Sequence, residues 1–199
     1  MIKVGITGGI GSGKTTFCQE WEEQGAFVIY ADDFAKKLMS EDSGLKQKII
    51  DAFGASSYLP TGELNRAYLA EEAFSKGRVE ELNELVHPVL QQRLLELAAA
   101  KEKEGIEVFA EEAAVLLNKG RPDMFDYVVV ILANERQRID RVAERDEAQK
   151  EDIIARIRKQ PDFESKTQLA DFVIINNGTL EELKEKAREL YSSIKTINS

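Results

Sequence analysis

Eight residues near the beginning of the chain, Gly8 to Thr15, have the types and the spacing needed to hold a phosphate chain. Their sequence, GGIGSGKT, fits the pattern G-x-x-x-x-G-K-[ST] of a P-loop. In such a loop the backbone N–H groups point inward at phosphate oxygens. The Lys14 ammonium can reach the β- and γ-phosphates, and the Thr15 hydroxyl can bind Mg²⁺. The spacing therefore predicts a site for a nucleoside triphosphate.

The sequence on either side of the loop has the pattern that this chemistry requires. Residues 2–6 are typical of a short buried strand, and residues 15–21 are typical of a helix. A helix that begins at the loop adds roughly half a positive charge at the phosphate position. The alternative is a chance glycine turn, which would not need a strand before it and a helix after it.

Composition limits the class of protein. The chain has 199 residues, 43% of them hydrophobic and 32% charged, which fits one α/β domain with room for small inserted subdomains. The net charge of −9 argues against a nucleic-acid partner. No apolar run approaches the roughly 20 residues that span a bilayer, so no membrane partner is expected. We see no signal peptide, and one cysteine allows neither an intrachain disulfide nor a cysteine zinc site, so we expect a cytoplasmic protein.

Short apolar segments alternate with helical patterns along the chain. This alternation predicts a parallel sheet of five strands, buried on both faces and flanked by helices. Ligands in such sheets bind at the carboxyl ends of the strands. The predicted strands are Lys3–Thr7, Phe27–Tyr30, Ile106–Ala110, Tyr127–Leu132 and Phe172–Ile175.

Two segments interrupt the alternation. Residues 34–104 show helical pieces without a convincing strand, which predicts a helical substrate subdomain that ends in a long helix from about Arg78 to Lys103. Residues 135–160 are rich in arginine and acids, and they are either a solvated helical pair or a mobile lid over a triphosphate. The core of a single domain spanning residues 1–199 then comprises about 1–33, 105–134 and 161–199. A capping box of Thr179 and Glu182 predicts the start of the last helix.

Acids and arginines close to strand ends are candidates for catalysis. Asp32 follows the second strand, where a carboxylate can accept a proton from a reacting hydroxyl, although it could instead be the N-cap of the next helix. Glu112 follows the third strand and could bind a Mg²⁺-bound water, with Glu111 and solvent exposure as competing explanations. Arg141 and Arg145 are four residues apart and therefore share a helix face, where they could contact phosphates or form ion pairs with nearby acids.

The class of P-loop protein follows from what the chain lacks. A guanine-reading N-K-x-D motif is missing, since the only Asn-Lys pair, Asn118-Lys119, continues as Gly120-Arg121. Asp51-Ala52-Phe53-Gly54 fits D-x-x-G but lies in a helical stretch. A small-molecule kinase therefore fits better than a switch GTPase.

Seven segments in order resemble the dephospho-CoA kinase family. They are the loop Ile6–Thr16 (ITGGIGSGKTT), Val28–Asp32 (VIYAD), Gly62–Arg66 with Leu69 and Phe74, Leu85–Pro88 (LVHP), Arg141–Asp146 (RVAERD), Ala155–Ile157 with Gln160 and Lys166, and Ala170–Ile174 with Asn176 and Gly178. The chain departs from the family pattern at Tyr30 and Asn118, where the family usually has acids, and at Lys36, where it usually has arginine. These departures concern the substrate more than the phosphate-transfer core.

The resemblance implies ATP-dependent phosphorylation of the ribose 3′-hydroxyl of dephospho-CoA, with Mg²⁺ as cofactor and the two small molecules as partners. It implies a monomer or a small homo-oligomer. The alternatives are another P-loop small-molecule kinase, acting on a nucleoside or nucleotide, and a nucleotide-binding switch protein.

The resemblance also implies roles for individual residues. The catalytic residues would be Lys14, Asp32 and Arg141, and Thr15 would bind the metal. ATP would be bound by Gly9, Gly11, Ser12, Gly13, Lys14, Thr15, Thr16, Arg145, Asn176 and Gly178. The acceptor would be bound by Asp32, Lys36, Arg66 and His87, of which Lys36 could equally be solvated and His87 structural.

Overall fold

The computed structural model describes residues 1–197, and the side chain of Phe74 lies outside the described part. Its strands are β1 Ile2–Gly8, β2 Phe27–Tyr30, β3 Val108–Glu112, β4 Tyr127–Leu132 and β5 Phe172–Ile175. Its helices are α1 Lys14–Glu23, α2 Ala31–Glu41, α3 Ser43–Phe53, α4 Arg66–Ala70, α5 Val79–Lys103, α6 Glu135–Asp146, α7 Lys150–Arg158, α8 Phe163–Lys166 and α9 Leu180–Ile197. Shorter turns are the 3₁₀ segments Ala55–Ser57 and Thr167–Leu169 and the π-helical segment Glu71–Ser75.

The five strands form one parallel sheet in the order β2-β3-β1-β4-β5. The predicted α/β fold with five parallel strands is therefore confirmed. β1 lies at the centre, between β3 and β4. The P-loop that follows β1 therefore lies at the carboxyl edge of the sheet, where ligands of parallel sheets bind.

The predicted third strand was placed two residues too early. β3 begins at Val108, because the backbone N–H of Ile106 still bonds to the carbonyl of Lys101 in the turn that closes α5. The strand then continues through Glu112, which pairs with Ile6 of β1. Glu111 and Glu112 are thus strand residues at its carboxyl end.

The chain forms two compact units. The first comprises residues 1–30 and the residues from 101 onward, and it contains the whole sheet. The second comprises residues 31–100 and is helical, with an isolated bridge between Tyr58 and Leu64. Between residues 34 and 104 the described chain has no strand of a sheet, as the sequence predicted.

The core of the first unit lies between the sheet and helices α1 and α9. Trp21 of α1 is fully buried, stacks at a tilt against Phe17 and meets the edge of Tyr191 on α9. Its indole N–H donates to the carbonyl of Ala187, 2.9 Å away. The aromatic contacts fix α1 against α9 and thereby fix the direction in which the amino end of α1 points.

β5 is an edge strand and is exposed on one face, which corrects the expectation that every strand is buried on both faces. Val173 and Ile175 are 41% and 46% exposed, while Phe172 and Ile174 pack against the core. An alternating pattern of this kind arises where helices cover only one side of an edge strand.

Ion pairs and hydrogen bonds organise the second unit. The Asp42 side chain caps α3 by accepting from the Leu45 N–H, and it also pairs with Arg93 of α5 at 2.7 Å. The Arg93 hydrogen bond lowers the pKa of Asp42. The Tyr58 hydroxyl donates to the carbonyl of Met39, which joins the bridge segment to α2.

In the part of the chain that the structure describes, every helix is too short or too polar to cross a membrane.

Replacing Trp21 by Phe tests the α1–α9 packing. The substitution removes one ring and the hydrogen bond to Ala187, so we expect a loss of about 2 kcal/mol in the free energy of unfolding. Urea unfolding followed by far-ultraviolet circular dichroism measures it, with Val115→Ala at an exposed position as the control. An unchanged midpoint in Trp21→Phe would show that these contacts do not fix α1.

Candidate functional site

The P-loop leads into α1, whose amino end is open in the sense that no described side chain caps it. Gly13 is the N-cap of α1 and has φ = 99°, a left-handed conformation that glycine adopts without strain. No side chain caps α1 and its first turn contains no acid. The first N–H groups of a helix have no partner within the helix, so those of α1 remain available to an anion. The predicted strand, loop and helix are confirmed.

The P-loop lysine lies across its own loop. The Lys14 ammonium is 3.3 Å from the carbonyl oxygen of Gly9 and 3.5 Å from a carboxylate oxygen of Glu112 on β3. Both charged side chains are largely buried, at 12% and 15% exposure. A phosphate that binds here would compete with Glu112 for the Lys14 ammonium.

A cavity of about 540 Å³ opens beside the loop. Its volume lies within the range of small-molecule sites. Part of its wall is apolar, formed by Ile10, Val142, Leu180 and Leu183. The remaining wall is formed by predicted site residues, which are Gly11, Gly13, Lys14, Thr15, Thr16, Arg141, Arg145, Asn176 and Gly178.

The other two predicted loop residues, Gly9 and Ser12, border a second cavity of about 330 Å³. Ser12 is buried, and its hydroxyl has no hydrogen-bond partner among the described residues. Its backbone N–H donates to the carbonyl of Gly9 at 3.1 Å, so this donor is used within the loop.

Asn176 links the end of β5 to the P-loop. Its side-chain amide donates to the carbonyl of Ser12 at 2.8 Å, and its backbone N–H donates to the carbonyl of Leu132 at 2.7 Å. Asn176 is 4% exposed, so its amide is held by these bonds rather than by water. A side chain at Gly13 would collide with this amide, because a Cβ there would lie 2.4 Å from the nitrogen.

The two arginines of α6 have different partners. Arg141 donates to the carbonyl of Asn176 at 3.1 Å and to that of Gly178 at 3.4 Å, and in the described residues it forms no ion pair with an acid. Arg145 pairs with Asp146 at 2.7 Å, which is the alternative left open by the sequence. Hydrogen bonds from Arg145 and Arg156 lower the pKa of Asp146 to about 2.

Two side chains from distant parts of the chain hold the P-loop at Ile10. The Ile10 N–H donates to the side-chain oxygen of Gln160 at 2.8 Å, and the Ile10 carbonyl accepts from Arg138 Nε at 2.8 Å. Sequence reasoning named Gln160 only as part of a motif and did not single out Arg138. The available signal was spacing, since Arg138 lies three residues before Arg141 on α6 and so shares its face.

The predicted acceptor residues lie in the second unit, residues 31–100. Asp32 is exposed and lies one residue inside α2, so it is not the N-cap that the sequence left as an alternative. Lys36 is exposed and pairs with Asp33 at 2.7 Å. Arg66 is exposed at the start of α4, and His87 is half-buried within α5, directly before Pro88.

Glu111, which the sequence left as a competitor of Glu112, is buried. It is 6% exposed at the carboxyl end of β3, and burial raises its pKa to about 7. Its neighbour Glu112 lies on the opposite face of the strand and reaches Lys14. The carboxyl of Glu111 is therefore buried, whereas the carboxylate of Glu112 lies at the P-loop.

Tyr30 stands where the resemblance leads one to expect an acid. Its hydroxyl donates to Glu22 of α1 at 3.2 Å. Burial is the main cause of a pKa for Tyr30 well above its usual value, so the hydroxyl stays protonated. The side chain at the end of β2 thus contacts α1 as a neutral donor.

Among the described residues, no group of three or more His, Cys, Asp or Glu side chains is placed to hold a metal ion. The oxygen donor at the loop is the exposed Thr15 hydroxyl, a ligand type that suits Mg²⁺ when phosphate oxygens and waters complete the shell.

The profile of the dephospho-CoA kinase family matches residues 2–182 of the chain. The chain is 42% identical over 198 residues to a dephospho-CoA kinase of Salinibacter ruber, with 98% of each protein covered. A solved structure from Thermus thermophilus superimposes with a TM-score of 0.75 at 28% identity, covering 96% of this chain and 97% of that one. The structure of a dephospho-CoA kinase from Campylobacter jejuni does so with a TM-score of 0.64 at 26% identity, covering 96% of each.

The buried carboxyl of Glu111 predicts a pH-dependent gain in stability on substitution by Gln. Its pKa rises from 4.5 in the unfolded chain to about 7, so the folded protein binds the extra proton and its stability falls as pH rises between these values. Glu111→Gln should therefore be more stable than wild type at pH 8, by on the order of 3 kcal/mol, and the difference should shrink to less than about 1 kcal/mol near pH 4.5.

Urea midpoints measured from pH 4.5 to 8.5 test this, with Glu151→Gln at an exposed position as the control for loss of a carboxylate. A difference between Glu111→Gln and wild type that stays constant with pH would contradict the raised pKa.

Proposed function

The chain belongs to the dephospho-CoA kinase family, and we propose that it transfers the γ-phosphoryl group of ATP to the ribose 3′-hydroxyl of dephospho-CoA, giving coenzyme A and ADP. The observation that carries the proposal is the open amino end of α1 beside Lys14, in a chain that matches the family over residues 2–182. A cytoplasmic location and a monomeric or small homo-oligomeric state are part of the proposal.

The donor side of the reaction is assigned to the P-loop. The β- and γ-phosphates would accept hydrogen bonds from the free N–H groups at the start of α1 and would draw the Lys14 ammonium away from Glu112. Phosphoryl transfer needs positioning and neutralisation of charge more than covalent chemistry, and this arrangement supplies both.

The adenine is assigned to the apolar side of the larger cavity. Leu180 and Leu183 of α9 and Val142 of α6 offer a surface for the ring, and the backbone of Gly178 lies at its edge. Asn176 supports this wall from behind, because its side chain is committed to the carbonyl of Ser12. Its role in nucleotide binding is therefore to shape the pocket.

Arg141 is proposed to neutralise charge on the transferring group. Its present partners are carbonyl oxygens, so no carboxylate would have to be displaced when phosphates arrive. An arginine held this way can move its guanidinium to the transition state at small cost. Arg145 would first have to leave Asp146, which supports a contribution to closure of residues 135–160 over ATP rather than to the reaction itself.

The acceptor side is assigned to residues 31–100 and rests on the resemblance. Asp32 would accept the proton of the 3′-hydroxyl as that oxygen attacks the γ-phosphorus. Its exposure, at the first turn of the helix that follows β2, leaves the carboxylate free of competing partners in the described residues. Lys36, Arg66 and His87 would contact the phosphates and the body of dephospho-CoA.

Mg²⁺ is proposed as the cofactor, held by the Thr15 hydroxyl together with the nucleotide's own phosphates. Bound there, it would neutralise charge on the β- and γ-phosphates. The protein's part is to present Thr15 at the cavity wall and Lys14 on the neighbouring phosphates.

A nucleoside or nucleotide kinase is the alternative within the same class. An ADP-release assay with Mg-ATP decides between them, because dephospho-CoA should stimulate release strongly and nucleosides or nucleoside monophosphates should not. Stimulation by a nucleoside with none by dephospho-CoA would overturn the proposed substrate.

Removing the Lys14 ammonium should lower kcat in the same assay by at least about 100-fold, the effect of deleting one donor to a transition-state oxyanion. Lys14→Ala also removes a partner of the largely buried Glu112, so its melting temperature should fall, and kcat is measured well below it. Lys119→Ala, at an exposed position outside the cavity, is the control. Near-normal turnover in Lys14→Ala would contradict the donor site.

Asp32→Asn keeps the shape of the side chain and removes its charge, so kcat should fall steeply while the affinity for ATP changes little. Asp33→Asn, one residue along the same exposed turn, is the matched control and should retain kcat. If both variants lose kcat equally, the proton-accepting role belongs to neither carboxylate.

A further inference from the structure

The P-loop of this protein is held at Ile10 by two side chains from outside the loop, in addition to the bond from Asn176 to the carbonyl of Ser12. Both the N–H and the carbonyl of Ile10 bond to side chains that lie 150 and 128 residues further along the chain, Gln160 and Arg138. Arg138 and Gln160 also bond to each other, since Arg138 Nη2 donates to Gln160 Oε1 at 3.2 Å. These three hydrogen bonds form a closed ring, which we call the Ile10 clasp.

Helix α6 supports the clasp by lying directly on the glycines of the loop. A Cβ at Gly9 would lie 2.3 Å from the guanidinium of Arg138, and a Cβ at Gly11 would lie 2.6 Å from the Arg138 carbonyl. The glycines on either side of Ile10 are thus required by the approach of α6. Gly9 and Gly11 have the conformational freedom of glycine, and the clasp restrains the backbone between them.

Holding Ile10 fixes the direction of its neighbours' peptide groups. The Ile10 N–H is used by Gln160, and the Ser12 N–H is used within the loop by the carbonyl of Gly9, so neither of these two donors is free for a ligand. The donors at the start of α1 are left for the ligand. A loop with several glycines loses much entropy when it is ordered, and ordering it beforehand removes that cost from ligand binding.

Arg138 keeps its charge available while it does this. Its guanidinium donates to neutral oxygens of Ile10 and Gln160 and forms no ion pair in the described residues. Burial lowers its pKa, although an arginine remains protonated at neutral pH. A positive charge that is not neutralised by a carboxylate therefore lies against the loop, where it favours an anionic ligand.

We propose that Arg138 and Gln160 are positioning residues that hold the P-loop in its phosphate-binding conformation before nucleotide arrives. Gln160 follows α7 by two residues, so the clasp also ties the segment 135–160 to the loop. The proposal rests on the proposed function only in taking ATP as the ligand.

Binding of a non-hydrolysable ATP analogue, measured by calorimetry without any acceptor, tests the proposal. Arg138→Ala and Gln160→Ala should each raise the Kd by about tenfold, the loss expected for one or two hydrogen bonds. The matched controls are Arg136→Ala and Lys159→Ala, exposed neighbours that do not contact the loop, and both should bind like wild type. The double variant should raise the Kd by less than the product of the two single fold-changes, because both residues belong to one ring of hydrogen bonds.

Two further measurements separate positioning from simple stability. Hydrogen exchange in the peptide that contains residues 8–16 should be faster in both variants without nucleotide and should return to the wild-type rate when the analogue is saturating. In turnover, KM for ATP should rise about tenfold while KM for dephospho-CoA and kcat stay within about threefold of wild type.

An unchanged Kd for the ATP analogue in Gln160→Ala would overturn the proposal. A lower melting temperature with unchanged hydrogen exchange in residues 8–16 would overturn it as well. Gln160→Ala carries the test if Arg138→Ala fails to fold. Because nucleotide binding is measured without dephospho-CoA, the result stands whether or not the chain phosphorylates that acceptor.

Discussion

The structure depends on the open amino end of α1. Gly13 cannot cap the helix with a side chain, and the first turn contains no acid, so several N–H groups and the positive end of the helix dipole converge without a partner from the protein. Packing makes this arrangement stable: Trp21 holds α1 against α9, and Asn176 and the Ile10 clasp hold the loop that precedes it. These contacts hold the loop while the N–H groups at the start of α1 are left without a protein partner among the described residues, which keeps an anion site ready.

The charges at this site are balanced in a way that nucleotide binding must change. Lys14 pairs with Glu112 in this structure, so an arriving phosphate competes with a carboxylate for the ammonium. Arg141, in contrast, donates to neutral carbonyls and is available at once. A net charge of −9 is compatible with an anionic substrate because these cations border the cavity.

The local features and the parallel sheet were predictable from sequence, whereas contacts between side chains far apart in the chain were not. The glycine pattern identified the loop, and the Thr179–Glu182 capping box forms as expected, with hydrogen bonds of 2.8 and 3.2 Å. The burial of Glu111 depends on what covers its face of the sheet, which no local pattern records. The clasp joins residues more than 120 positions apart, and one arginine among many in a charged segment gives no sign of which loop it will reach.

The central claim is that the phosphates, through the open end of α1 and Lys14, supply most of the affinity for nucleotide. Calorimetric titration of the wild-type protein with ADP and with adenosine tests this most directly, since both ligands share the base and the ribose. The account predicts that ADP binds at least about 100-fold more tightly than adenosine, which corresponds to roughly 3 kcal/mol from two phosphates. Equal affinities for the two ligands would contradict it.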